Sequence, residues 1–246
     1  MHKKTDIIPA ILPKDFAELT EKIELMRGLV KMIQIDVCDG QFTPDPSWPY
    51  FKPDVSFQKI VTQEIGMPGW DVLNFEIDLM ANKPEEKVDE WVQAGATRII
   101  IHIESKGDIK KAVMDLAGKS EIAVAINIET PVSLIAEKLS GITIGQTDAD
   151  LILDPNESVI SCIQCMGIDH IGFQGQAFDI KVIDKIGEIK RLYPNVAISV
   201  DGGVSLETAP LLIEAGVNRL VIGSAIFESD NFTEAVAHFK KLGAGI

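Results

Sequence analysis

The chain has 246 residues, with 23 Lys and Arg against 37 Asp and Glu, a formal charge of −14. That balance excludes the basic footprint of a nucleic-acid binder, and three cysteines argue against a disulfide framework. With 46% hydrophobic and 24% charged residues, the composition is that of a folded α/β protein long enough to bury a large core.

The opening MHKKTD is followed by a short apolar run, Ile7–Leu12, too short for a signal-peptide core or a membrane span. A soluble, cytoplasmic protein without a membrane partner is expected. In chain order, β-branched apolar runs fall at Ile7–Ile11, Met32–Val37, Leu73–Leu79, Arg98–Ile103, Ile122–Asn127, Val159–Ile168, Val196–Val200 and Arg219–Ile222. Helical patterns lie between them, at Asp15–Gly28, Lys87–Ala94, Pro131–Leu139, Asp179–Leu192 and Leu206–Ala215. Strands alternating with helices predict parallel βαβ units. Eight of them in this length predict a single (β/α)8 TIM barrel domain over residues 1–246.

Local signals agree. Ala94-Gly95 and Ala215-Gly216 read as helix ends before a strand, and Ser205 with Glu207 and Thr208 reads as a helix start. Two stretches break the pattern. Gln41–Gly69 holds Pro44, Pro46, Trp48, Pro49, Tyr50, Phe51 and Pro53, and suggests an extended loop with a short helix. Gly141–Ser158 carries an extra apolar run, Ala149–Leu153. Cys162 and Cys165 form a C-x-x-C within an apolar run, where buried strand residues are expected over a redox or metal pair.

Such barrels place their chemistry at the C-terminal strand ends. Asp36 and Asp201 end the second and seventh strands, on expected opposite sides of the barrel, and suit a two-base proton transfer. Asp39 precedes Gly40 and reads first as a turn residue. His102 and Glu104 alternate on the fourth strand, where mouth-facing and structural roles are both open. Asp169 and His170 fall on the loop after the sixth. Gly172, Gly175, Gly202, Gly203, Gly223 and Ser224 follow strands six to eight, where backbone N–H groups approach a phosphate closely. An acidic protein repels anions at long range, so a phosphate site has to be built locally.

Several motifs carry a resemblance that spans nearly the whole chain. They are Ile8-Pro9-Ala10-Ile11-Leu12 with Asp15-Phe16, then Ile35-Asp36-Val37-Cys38-Asp39-Gly40-Gln41-Phe42-Thr43-Pro44, and Asp78-Leu79-Met80 with Pro84. Asn127 with Thr130-Pro131, Gly172-Phe173-Gln174-Gly175-Gln176-Ala177-Phe178, Val200-Asp201-Gly202-Gly203-Val204 and Gly223-Ser224-Ala225-Ile226-Phe227 complete the set. Together they resemble the ribulose-phosphate 3-epimerase family.

The resemblance implies a ribulose-phosphate-binding barrel that epimerises a ketose phosphate beside its carbonyl, with Asp36 and Asp201 as the acid–base pair. It implies phosphate binding by Gly172, Gly175, Gly202, Gly203, Gly223 and Ser224, and ligand orientation by Gln34, Asp78, Met80 and Met166. It further implies a homo-oligomer with no organic cofactor, and a divalent metal (Mg, Mn or Zn) that stabilises an enediolate.

The departures are informative. The family holds its metal with two aspartates and two histidines. The aspartates match Asp36 and Asp201, whereas the histidines fall on Gln34 and Asp78. Gln34, Asp36, Asp78 and Asp201 would make an all-oxygen set with three negative charges. It predicts a harder cation, or none; without one, at least one carboxyl has a raised pKa and can act as a neutral donor. Ala10 replaces a usual serine, Cys38 a methionine, and Gln174 a glycine, with one residue inserted before it.

Two alternatives stand beside this reading. Barrels that perform aldol cleavage or decarboxylation carry Asp-x-Lys-x-x-Asp after a strand; Asp36-Val37-Cys38-Asp39 lacks the lysine. A catalytically altered or inactive binder of a phosphorylated sugar is favoured by the lost histidines and opposed by the retained aspartates.

Overall fold

A computed structural model describes residues 4–52, 54–140, 142, 159–173 and 175–245. Its strands are β1 (Asp6–Ile11), β2 (Met32–Cys38), β3 (Asn74–Met80), β4 (Arg98–His102), β5 (Glu121–Ile126), β6 (Ile160–Met166), β7 (Ala197–Asp201) and β8 (Arg219–Ile222). Each pairs in parallel with the next, and β8 closes on β1, so the sheet is the expected closed barrel in chain order. The helices are α1 (Phe16–Met26), α2 (Val55–Val61), α3 (Val88–Gln93), α4 (Ile109–Leu116), α5 (Ser133–Leu139), α6 (Val182–Leu192), α7 (Ala209–Ala215), α8 (Ser224–Phe227) and α9 (Phe232–Ala244). None of the described helices is long and apolar enough to cross a membrane.

The expected boundaries need correction at helix starts and at β6. Short polar side chains compete with the helix for backbone N–H groups. Asp179 accepts from the Lys181 N–H at 2.9 Å, and α6 starts three residues later than expected, at Val182. Ser205 Oγ accepts from the N–H groups of Glu207 and Thr208, each at 3.2 Å, so α7 starts at Ala209 and not at Leu206. Strand β6 stops at Met166, two residues short of the expected end, because the chain leaves the barrel at Gly167. There a Cβ would lie 2.3 Å from the Gly202 carbonyl oxygen. The run Gln41–Gly69 is anchored by Trp48, which is buried edge-on against Phe57 and Trp91 with ring centroids 5.4 and 5.9 Å away. Its short helix is α2, capped by Asp54. The Ala149–Leu153 run, Pro53 and Gln174 lie outside the described residues.

Alternation along each strand sorts the side chains. Ile33, Ile35 and Val37 of β2 and Phe75, Ile77 and Leu79 of β3 join the main core between sheet and helices. The opposite parity fills the barrel. Part of that interior is apolar: Ile100, Ala123, Ala125, Cys162 and Met166 on one side, and Ile8, Ala10 and Val221 on the other. The remainder is polar, unlike the branched aliphatic filling usual in this fold. Gln34, Glu76, Asp78, His102, Gln164 and Ser199 are all buried.

Toward the strand N-termini, Glu76 Oε2 accepts from Arg98 Nη1 at 2.7 Å and from Arg219 Nη2 at 2.5 Å. Arg98 also reaches Glu121. Cys162 faces this interior while Cys165 faces the outer core, and both thiols are buried. Burial raises both thiol pKa values, that of Cys165 to about 12. The C-x-x-C therefore sits as two strand residues of opposite facing.

Candidate active site

At the C-terminal end of the strands lies a cavity of about 60 Å³. Asp36, Asp78, Asp201, Met80, Met166, Gly172, Gly175, Gly202, Gly203, Gly223 and Ser224 all line it. Of the residues that the family resemblance implies for catalysis or ligand binding, only Gln34 is not on this lining, and it is fully buried. The barrel register explains the convergence: Asp36 pairs with Asp78 across β2–β3, and Met166 with Asp201 across β6–β7.

Asp36 and Asp201 lie three strands apart around the barrel, short of the opposite placement expected. Carboxylate oxygens of Asp36, Asp78 and Asp201 come within 4.8 Å of one another. Two amides and an imidazole serve them. Gln34 Nε2 donates to Asp36 Oδ1 at 2.8 Å and to Asp201 Oδ2 at 2.6 Å. Gln164 Nε2 donates to Asp78 Oδ2 at 3.2 Å and to Asp201 Oδ2 at 3.3 Å. His102 Nε2 lies 3.1 Å from Asp78 Oδ1. Both Asp78 oxygens are therefore engaged. Among the described residues, Asp36 Oδ2 and Asp201 Oδ1 carry no hydrogen bond, so these two aspartates each keep one oxygen for other work.

Crowding of three carboxyls in a buried site disfavours their ionised forms. Burial, then the charges of Asp201 and Asp78, push Asp36 well above the usual carboxylate range. Burial, then the charge of Asp78, push Asp201 up to about 7. Burial alone would lower the His102 imidazole, but the neighbouring Asp78 carboxylate makes the net direction upward.

The two aspartate shifts have a consequence for stability. Folded carboxyls that bind protons more tightly than their unfolded forms, here 3.8 for Asp201, contribute stability below that unfolded value. The contribution is lost as pH rises through about 7. In the presence of a chelator, the melting temperature is expected to fall between pH 5 and pH 8, and Asp201→Asn to flatten that slope. A melting temperature that rises over the same range would contradict these shifts.

The glycines form the other half of the wall. Gly202 has φ +96° and Gly203 φ +67°, a region that favours glycine. A Cβ on Gly202 would lie 2.7 Å from Ile168 Cγ1, and one on Gly203 2.6 Å from the Phe178 backbone. Both positions thus exclude any side chain, by backbone conformation and by the packing of Ile168 and Phe178 against them.

Other candidates are placed elsewhere. Asp39 is a turn residue whose carboxylate accepts from the N–H groups of Gln41, Phe42 and Asn82. His102 is buried beneath Phe42 and does not line the cavity. Glu104 accepts from the Asn127 N–H at 2.8 Å. Asp169 and His170 are exposed and off the cavity wall, and Asp169 groups with Glu129 and Asp179 beside Lys181. Gln164 was missed by the motif reading. Its signal is parity, since it shares the inward-facing side of β6 with Cys162 and Met166.

The chain has known relatives. A family model described as the ribulose-phosphate 3 epimerase family matches residues 6–227. The ribulose-phosphate 3-epimerase of Bacillus subtilis (strain 168) is 30% identical over 241 residues, covering 95% of this chain and 97% of that protein. The chloroplastic ribulose-5-phosphate-3-epimerase of Arabidopsis thaliana is 30% identical over 249 residues, covering 96% of this chain and 77% of that protein. Among solved structures, KGPDC from Streptococcus mutans is similar at a TM-score of 0.67 with 15% identity, covering 99% of each chain. The 3-hexulose-6-phosphate synthase of Salmonella typhimurium is similar at a TM-score of 0.65 with 12% identity, covering 98% of this chain and 99% of that one. The two structural likenesses speak to the barrel alone. The family match and the full-length relatives go further: this chain belongs to the ribulose-phosphate 3-epimerase family.

Proposed function

We propose that the chain, as one barrel domain, epimerises a ketose phosphate at the carbon beside its carbonyl, with Asp36 and Asp201 as the two acid–base groups. The observation that carries this reading is that, among the described residues, each of these two carboxyls keeps one oxygen without a hydrogen bond, while Asp78 has both engaged. One aspartate, ionised, takes the proton, and the C–H electron pair becomes the C=C bond of an enediolate. The other, protonated, returns a proton to the opposite face as the ketone re-forms.

The phosphate is assigned to the backbone of Gly202, Gly203, Gly223 and Ser224, with Gly172 and Gly175 from the β6–α6 loop. Glycine permits the close approach this needs. Met80 and Met166 line the wall between the two ends and orient the sugar carbons.

The donor set fits a hard divalent cation. Three carboxylates converge, and the buried carbonyl oxygen of Gln34 has no hydrogen-bond partner among the described residues. Asp36, Asp78, Asp201 and Gln34 would hold the ion, and oxygen donors without imidazole suit magnesium or manganese better than zinc. Such an ion, when bound, would supply positive charge where negative charge develops on the substrate oxygens. Titration of metal-free protein with Mn2+ is expected to give saturable binding that Asp78→Asn weakens about tenfold or more; equal binding by both proteins would contradict this set.

The function itself is tested by incubating purified protein with D-ribulose 5-phosphate and following its 3-epimer by NMR. Conversion supports the reading. Binding of the sugar phosphate without conversion would favour the altered, non-catalytic alternative.

A further inference from the structure

Resting on the proton transfer proposed above, we infer that Gln164 is a positioning residue for one half of that reaction: its amide ties Asp201 to Asp78 and leaves Asp201 Oδ1 as the oxygen that exchanges a proton with substrate.

An amide nitrogen has two hydrogens. Those of Gln34 are spent on Asp36 Oδ1 and Asp201 Oδ2. Those of Gln164 are spent on Asp78 Oδ2 and again on Asp201 Oδ2. Two amides from different strands thus fix the same Asp201 oxygen, and the carboxyl has little freedom to turn it toward the cavity. Asp78, held at its other oxygen by His102, is the post to which Gln164 fastens Asp201. No bond from Gln164 reaches Asp36. The strand register explains the reach, because Gln164 pairs with Ser199 and lies two residues below Met166, the partner of Asp201.

The side chain is fully buried, and its carbonyl oxygen has no hydrogen-bond partner among the described residues. A glutamine placed only to fill the barrel would be better replaced there by an aliphatic residue, since a buried unpaired acceptor costs free energy. The two donated bonds are what the barrel gains from an amide at this position.

The asymmetry supplies the test. Removing the Gln164 amide should impair proton transfer on the face served by Asp201 and spare the face served by Asp36. Each epimer of the ketose phosphate is incubated in D2O with wild type and with Gln164→Met, and NMR follows both inversion and deuterium uptake at the inverting carbon. For Gln164→Met, inversion of both epimers is expected to slow about tenfold or more, as small misplacements of a catalytic group do. Deuterium uptake without inversion is expected to stay within about threefold of wild type for the epimer whose proton Asp36 removes. Uptake by the other epimer should fall with inversion.

Equal slowing of uptake in both epimers would mean a general structural role, and no slowing would mean no role; either overturns the inference. Absence of uptake and inversion in wild type overturns the epimerase reading itself, and the inference with it. If Gln164→Met does not accumulate as folded protein, Gln164→Glu keeps the side-chain length and, when protonated, one donor in place of two. The same uneven loss is expected of it, and an even loss overturns the proposal.

Discussion

Asp201→Asn is expected to lower epimerisation by about 10²–10⁴-fold, the usual contribution of a positioned acid–base group. Asparagine matches aspartate in size, and its oxygen can still accept from Gln34 and Gln164, so the barrel should fold and bind ligand as before. What it loses is the ability to take or release a proton at the position of Oδ1. The fall should appear in kcat, with KM within a few-fold, because in the proposed reaction this residue moves a proton while the glycine loops hold the phosphate. Asp36→Asn should lose a comparable amount, and the double variant little more than either single one, as expected of groups that act as a unit. A loss below tenfold in Asp201→Asn would remove Asp201 from the acid–base role.

The largest expected effect on stability lies at the other end of the barrel. Glu76→Ala is expected to cost about 3–5 kcal/mol, because it leaves buried positive charge without its partner. Glu76 is completely buried and receives both Arg98 and Arg219, whose side chains are only 13% and 8% exposed. Arg98 keeps Glu121 as a second partner, but Arg219 has none beyond Glu76 among the described ion pairs. In a domain of this size that cost lowers the melting temperature by roughly 10 °C. Replacing Glu76 and Arg219 together by Met should recover part of the loss, since apolar substitutes of similar volume tolerate such a site well. Urea unfolding of the single and double variants measures both; a cost below about 1 kcal/mol for Glu76→Ala would show that the arginines find water or other partners.

The barrel was legible because the strands alternate or run apolar and helical patterns separate them. Asp36, Asp201 and the glycine pairs stand at strand ends, which the barrel brings to one cavity. Helix starts were less legible, because Asp179 and Ser205 bind their neighbours' N–H groups and delay the helix by a turn that residue type alone does not reveal. The polar interior was least legible. Glu76, Arg98 and Arg219 come from three strands, and only barrel closure brings them together. Gln164 sits in an apolar run between two cysteines, where nothing local marks it, yet strand parity places it among the aspartates. Gln34 and Asp78, where the resemblance implies histidines, also acquire a physical account. Asp78 is held by His102 and Gln164, while Gln34 bridges Asp36 and Asp201. Gln34 and Asp78 are thus built into one hydrogen-bonded network with Asp36 and Asp201.

The most direct test of the two-aspartate epimerase is deuterium incorporation at C3 of D-ribulose 5-phosphate in D2O, compared between wild type and the Asp36→Asn/Asp201→Asn double variant. Wild type should introduce deuterium at that carbon alone and form the 3-epimer, and the double variant should do neither above the buffer rate. Incorporation by the double variant at the wild-type rate, or none by wild type, would contradict it.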